Sequence, residues 1–197
     1  SFSETTTASF SADFLLGATD SSSTETTATG LATDNDFDDA LQAGYSFQID
    51  LNTSFTGEDS LDISIDAGNA TGAGYAEFDP NSGGDTLAVD GISYTFPLGG
   101  ATVMVGDNTD GSALFSTACV YGGPSNTLDD CGNVNAGITN GGAMAGASYD
   151  FNNGLTAAVG YAGPESGILT NESFDAYGIN AAYTGENYGL SLTYGLI

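Results

Sequence analysis

Carboxylates are the chemically most capable side chains of this sequence, and two segments space them as calcium loops do. Asp79, Asn81 and Asp85 alternate around glycines in DPNSGGD, and Asp107 and Asp110 lie in DNTDG. Oxygen ligands at such spacing suit Ca²⁺ or Mg²⁺. Neither segment has the full calcium-loop pattern with its terminal glutamate, so ordinary turn chemistry is the favoured alternative. We assign no metal site, and Ca²⁺ is the one cofactor that these loops suggest.

The inventory of side chains argues against catalysis. The chain has no Lys, Arg or His against 26 Asp and Glu, which gives a formal net charge of −26. Most hydrolase triads, phosphoryl clamps and Schiff-base mechanisms need one of the missing side chains. We therefore expect no enzyme. The negative field also argues against nucleic acid and anionic lipid headgroups as partners.

The two cysteines indicate an oxidising compartment. Cys119 and Cys131 lie in TACVYGGPSNTLDDCG, a spacing that suits one small disulfide-closed loop. With no histidine in the chain, a zinc site is not expected. The sequence contains no run of about 18 apolar residues, so no transmembrane helix is predicted. No signal-peptide pattern is present, so we expect a chain that is mature or truncated at its start.

Apolar and polar residues alternate with period two along most of the chain, which predicts β-strands. In ASFSADFLLG, for example, Phe10 and Phe14 share one face while Ser11 and Asp13 share the other. Nine such segments follow one another, and four hairpin turns are predicted at 56–59, 97–100, 152–153 and 185–187. Longer polar stretches lie between the hairpins, at 18–40, 69–84, 108–141 and 163–173. The even composition predicts one domain over 1–197.

The two faces of these strands differ in a way that is typical of transmembrane barrels. The apolar faces end in aromatic residues: Tyr45, Tyr94, Phe96, Tyr149, Phe151, Tyr161, Tyr183, Tyr188 and Tyr194. The opposite faces carry polar residues, including the carboxylates Asp13, Asp50, Asp62, Asp66 and Asp150. The predicted fold is therefore all-β, with antiparallel up-and-down strands of a transmembrane-type β-barrel. A soluble sandwich or barrel whose polar face meets solvent is the alternative.

Four segments carry a family resemblance: FSETTTASFSADFLLGATD, YSFQIDLNTSFTGEDSL, GISYTFPLGGATVMVGDNTDGSALFSTACVYGGPSNTLDDCGN and SFDAYGINAAYTGENYGLSLTYG. They resemble the porins of the cyanobacterial outer membrane, the carbohydrate-selective OprB-type family that is also called iron uptake porins. The resemblance covers the first half of such a barrel. It implies that 1–197 is a porin-type domain or its N-terminal part. It also implies that outer-membrane lipid surrounds the barrel and that the protein is a homo-oligomer, namely a trimer. The basic residues expected in such a lumen are absent.

The expected function is passive diffusion of small polar solutes or cations across an outer membrane. The five lumen-phase carboxylates would favour cations, as acidic rings do in channels. A second hypothesis is a secreted or surface-displayed acidic β-protein whose strand edges pair between copies to form a sheath, fibre or matrix. A soluble calcium-dependent binding module is a third, weaker hypothesis.

Overall fold

The computed structural model describes residues 5–18, 22–26, 32–36, 41–71, 80–81, 83–117, 138, 142–170 and 174–196. Every regular element in these ranges is a β-strand. The strands are β1 Thr6–Gly17, β2 Ser22–Thr26, β3 Ala32–Asp36, β4 Gln42–Thr53, β5 Ser60–Gly68, β6 Gly84–Leu98, β7 Ala101–Asp107, β8 Ala143–Asp150, β9 Leu155–Gly163, β10 Ala176–Thr184 and β11 Gly189–Leu196.

Nine strands form one antiparallel up-and-down sheet in the order β1-β4-β5-β6-β7-β8-β9-β10-β11. This confirms the predicted all-β fold of antiparallel up-and-down strands, and the nine predicted strands are the nine strands of this sheet. β1 and β11 are the edges of the sheet and are not paired with each other, so the sheet is open. The structure adds a separate hairpin of β2 and β3 within the stretch 18–40, which the sequence predicts as a loop. Its two strands, SSTET and ATDND, contain almost no apolar residues, so they show no alternation of apolar and polar positions.

The connections at the two ends of the sheet differ in length. Residues 54–59, 99–100, 151–154 and 185–188 form the short turns at one end. At the other end the connections are long, at 18–41, 69–83, 108–142 and 164–175. The turn predicted at 97–100 is shorter in the structure, because β6 continues to Leu98 and Pro97 lies opposite Thr102. β5 begins opposite Thr95, so Pro97 lies where β6 is no longer flanked by β5 and proline's missing N–H is tolerated.

The strand register brings the apolar residues onto one continuous face. One row of directly opposed residues runs through Phe96, Val103, Ala147, Val159, Ile179 and Tyr194, from β6 to β11. We call this side of the sheet the apolar face. It is uncovered: Phe14 is 87% exposed and Leu192 is 74% exposed. Burial of apolar surface normally drives folding in water, so such a face needs an apolar partner.

The buried apolar cluster of the described residues lies on the other side of the sheet, the polar face. It consists of Met104, Ile138, Met144, Ala162 and Ala176, with Leu114 packed against it. Leu114 and Ile138 belong to the long connection between β7 and β8, and the other residues lie on the polar face of β7 to β10. The polar face is therefore covered by its own chain over these strands.

The acidic half of the polar face as candidate functional site

Carboxylates collect on the polar face of β4 and β5. Asp50 on β4 lies opposite Ser64 on β5, and Asp62 and Asp66 on β5 lie opposite Asn52 and Gln48 on β4. Alternation along each strand puts all of these side chains on one side. We call the polar face of β1, β4, β5 and β6 the acidic half. Antiparallel pairing thus assembles charges that are up to 16 residues apart in sequence.

Neutral groups make the hydrogen bonds to these carboxylates. Asp50 Oδ1 accepts from Ser64 Oγ at 2.5 Å and from Gln48 Nε2 at 2.8 Å. Asp62 accepts from Asn52 Nδ2 at 2.5 Å and from Ser60 Oγ at 2.7 Å. Such bonds stabilise the ionised form but leave its charge uncompensated. Because the chain has no cationic side chain, this surface carries a net negative field.

A β-bulge adds a carboxylate that the strand pattern does not predict. Gly91 lies opposite Ser64 and Val89 opposite Ile65, so Asp90 is an extra residue on β6. The bulge keeps Val89 and Ile92 on the apolar face although they are three positions apart. The carboxyl group of Asp90 is close enough to Asp66 and Asp50 to be repelled by their charges. The interrupted alternation at Asp-Gly was the sequence signal for this bulge.

A polar pocket with a volume of about 130 Å³ lies beside this bulge. The residues that line it are Asp62, Ser64, Asp90, Gly91, Ile92, Ser93, Asn108 and Thr109. Asn108 is held beside the bulge: its Nδ2 donates to the Asp90 carbonyl at 2.5 Å, and its backbone φ is 51°. Asparagine tolerates this left-handed conformation better than most residues.

The other two predicted lumen carboxylates lie apart from this group. Asp13 is exposed on the edge strand β1, opposite Ser46. Asp150 ends β8 and accepts the Asn152 N–H at 2.7 Å, so it caps a short turn. The structure therefore brings together Asp50, Asp62 and Asp66, and Asp90 joins them.

The residues of the predicted cation loops do not form one cluster among the described residues. Asn81 is bound to β4, its N–H donating to Ser46 Oγ at 3.0 Å and its Nδ2 to the Phe47 carbonyl at 3.2 Å. Asp85 accepts from Tyr45 Oη at 2.9 Å on the apolar face. In the described part of the chain, no group of three or more acidic, cysteine or histidine residues could hold a metal ion. Asp79, Cys119 and Cys131 lie outside the described residues.

The second predicted loop is also divided between the two faces. Asp107 ends β7 opposite Ile92 and Ala143, in phase with the apolar face. Asp110 lies in the connection that follows, where burial raises the pKa of its carboxyl group. A carboxyl group that is harder to ionise is a poorer cation ligand.

Aromatic side chains form belts at both ends of the apolar face. At the short-turn end, Tyr94 lies 6.2 Å from Phe55 and 5.4 Å from Phe96, centroid to centroid, and the pairs Tyr149–Phe151 and Tyr183–Tyr188 continue the belt. At the long-loop end, Tyr161 and Tyr177 are 5.4 Å apart. Tyr177 and Tyr183 on β10 are separated by six residues, about 20 Å along a strand. An apolar band of about 25 Å between aromatic belts is typical of outer-membrane barrels.

Aspartates hold three of the belt tyrosines in place. Tyr94 Oη donates to Asp59 at 2.6 Å and Tyr161 Oη donates to Asp175 at 2.7 Å, while Tyr45 binds Asp85 as described above. Each bond directs the polar tip of the ring toward the end of the sheet. Rings held in this way suit an interface between an apolar and a wet layer.

No protein-family model matches the chain, and no curated protein matches it in sequence. None of the described residues forms a helix that is long and apolar enough to cross a membrane.

Proposed function

We propose that this chain forms the wall of an outer-membrane β-barrel through which small polar solutes and cations diffuse passively. The observation that carries the proposal is the division of one nine-stranded sheet into an uncovered apolar face between aromatic belts and an opposite face with an acidic half. Lipid is the apolar partner that the first face needs, and water fills the space along the second.

The lining charge sets the expected selectivity. Carboxylates that only neutral donors contact concentrate cations near the wall and repel anions. No chemical step is involved, and the width and charge of the pore determine which solutes pass. The resemblance to cyanobacterial OprB-type porins supports the same function, an outer-membrane location and a trimer. A basic lumen would guide anions. Because this chain has no basic residues, we expect its lumen to pass cations in preference to anions.

Planar-bilayer recording of the purified full-length protein tests the proposal. We expect discrete conductance steps and, in a KCl gradient, a reversal potential of the sign that cation preference gives. Absence of conductance steps from a correctly folded protein would overturn the proposed function. A reversal potential that indicates anion preference would overturn the role of the acidic half.

Charge-neutralising variants assign the selectivity to residues. The triple variant Asp50→Asn, Asp66→Asn and Asp90→Asn should reduce the reversal potential, because it removes three charges from the acidic half. A control removes three exposed carboxylates from turns and loops: Glu58→Gln, Glu165→Gln and Glu186→Gln. Equal effects of the two variants would show that overall charge, and not the acidic half, determines selectivity.

The open edges of the sheet favour the second function, assembly of an acidic surface protein into a sheath or fibre. β1 and β11 each have a neighbour on one side only, and such edges are templates for pairing between chains. Electron microscopy separates the two functions. Closed trimeric barrels in detergent support the porin, whereas filaments from cells in the absence of detergent support the assembly.

A further inference from the structure

A short segment of the β7–β8 connection covers the half of the polar face that has few charges. This covering segment, residues 110–116, forms turns through the hydrogen bonds Ala113 N to Asp110 O, at 3.1 Å, and Phe115 N to Ser112 O, at 2.8 Å. Phe115 is only 8% exposed and Leu114 packs on the buried apolar cluster. The segment is therefore a packed part of the fold.

A row of glycines receives the covering segment. Gly146, Gly160 and Gly178 lie directly opposite one another on β8, β9 and β10. A Cβ at Gly160 would collide with the Gly111 carbonyl, and one at Gly178 would come within 2.9 Å of the Phe115 ring. The row is thus a shallow trough, and the backbone of the segment approaches the sheet only because side chains are absent there.

Asn180 fastens the end of the covering segment to the sheet. Its side chain on β10 is 4% exposed. Oδ1 accepts the Ser116 N–H at 3.0 Å, and Nδ2 donates to the Ser116 carbonyl at 3.1 Å. The amide therefore pairs with both backbone groups of Ser116, as a neighbouring strand would. Nδ2 also donates to Thr193 Oγ1 at 3.0 Å, which fixes the side chain from the β11 side.

The two halves of the polar face differ in what a solute could meet. The acidic half presents Asp50, Asp62, Asp66 and Asp90, with a polar pocket at the bulge. Over β8 to β10 the covering segment occupies the glycine trough and buries the surface beneath it. The segment therefore leaves the acidic half as the accessible part of the lumen wall.

We propose that Asn180 is a positioning residue that holds the covering segment against β8 to β10 and so confines permeating cations to the acidic half. This proposal rests on the proposed function. Asn180 does not touch the solute. It acts through Ser116, and its removal leaves the N–H and C=O of Ser116 without their partner, which is costly in a buried site.

Hydrogen exchange and single-channel recording of the Asn180→Ala variant test the proposal on the full-length protein. We expect the Ser116 amide to exchange about tenfold faster or more, because it loses a buried acceptor, while amides within β9 keep their protection. We expect a larger conductance and a smaller cation preference, because the newly accessible surface carries few charges. The matched control is Asn187→Ala, an exposed asparagine in the turn of the same hairpin.

A second variant disturbs the covering segment without changing Asn180. Gly178→Ala places a methyl group against Phe115 and should also speed exchange at Ser116, whereas Gly83→Ala adds a methyl group in open space and should not. Unchanged exchange in Gly178→Ala and in a folded Asn180→Ala protein overturns the positioning role. Faster exchange with unchanged conductance and selectivity overturns the confinement of cations. Absence of conductance from the wild-type protein overturns the proposed function. Hydrogen exchange at the Ser116 amide still tests the positioning role of Asn180 in that case.

Discussion

At the scale of single residues, Asp59 organises the turn between β4 and β5. Its Oδ1 accepts from Ser54 Oγ, from the N–H groups of Phe55 and Thr56 and from Thr56 Oγ1, at 2.7 to 3.0 Å. Its Oδ2 accepts from Tyr94 Oη. One carboxylate therefore satisfies the turn backbone and fixes a belt tyrosine.

Acid should weaken this turn. The Tyr94 hydroxyl, together with Ser54 and Thr56, lowers the pKa of Asp59 well below the ordinary carboxyl range. A lowered folded-state pKa contributes stability above the unfolded pKa of about 4, and that contribution is lost as the pH falls through the folded value. We expect the denaturant midpoint of the wild type to exceed that of Asp59→Asn by less and less as the pH is lowered from about 5 to about 2, because only the wild type loses the Asp59 contribution.

The control for this prediction is Glu58→Gln, which removes an exposed carboxylate from the same turn. It should keep the acid dependence of the wild type. Equal pH slopes for the wild type and Asp59→Asn would contradict the role of Asp59. At neutral pH the Asp59→Asn variant should already be less stable, because an amide donor replaces an acceptor opposite donor groups.

At the scale of elements, Gly99 and Gly100 determine the register of the β6–β7 hairpin. Their φ angles are 60° and 90°, and the strands pair directly from Leu98 to Ala101. Positive φ at both central positions is what a two-residue type I′ hairpin turn needs, and glycine and asparagine adopt it readily. The pair GG was therefore readable in the sequence as a turn, although the length of β6 before it was not.

Two substitutions at Gly99 should show whether strain at positive φ, and not the mere loss of a glycine, lowers the free energy of unfolding. Gly99→Val should cost about 1 to 2 kcal/mol, because a β-branched residue is strained at positive φ. Gly99→Asn should be close to neutral, since asparagine is favoured in such turns. Denaturant unfolding of both variants measures the difference. Equal destabilisation by both would mean that the turn conformation is not the cause.

At the scale of the whole molecule, the environment of the apolar face decides between a membrane protein and a soluble one. Ile179 lies in the middle of the band and is 57% exposed. In a bilayer, Ile179→Lys should cost about 2 to 4 kcal/mol, whereas at a water-exposed site a surface substitution costs about 0.5 kcal/mol or less. Reversible unfolding from lipid vesicles measures this cost.

The matched control for this prediction is Asn187→Lys, which adds the same charge in an exposed turn. It should be tolerated. A positive charge is attracted to a chain of net charge −26, so destabilisation by Ile179→Lys cannot come from repulsion. A small, equal effect of both variants would argue for the soluble alternative.

Because the negative charge of the chain is uncompensated, added salt should stabilise the protein. Raising NaCl from about 0.1 M to 1 M shortens the Debye length from about 10 Å to 3 Å and weakens repulsion among carboxylates. With no cationic side chain there are no side-chain ion pairs to lose. We expect the thermal midpoint to rise with NaCl, and an unchanged or falling midpoint would contradict this. Sulfate is unsuitable for the test because it strengthens apolar burial by exclusion.

The sequence alone determined the nine strands of the main sheet, their order along the chain and which residues share a face. Period-two alternation and glycine turns are local signals, so both could be predicted without knowing any partner. The five-residue strands β2 and β3 gave no such signal.

Only the tertiary structure divided the polar face into two halves. The covering segment has no strand periodicity, and its place depends on Gly160 and Gly178, from two different strands, which lie side by side and leave room for it. Asn180 looks in the sequence like one more polar strand residue, yet its amide binds the backbone of Ser116, 64 residues away. Asp90 joined Asp50 and Asp66 because a bulge shifted the register of β6. Contacts between distant segments are set by packing and register, which no local pattern encodes.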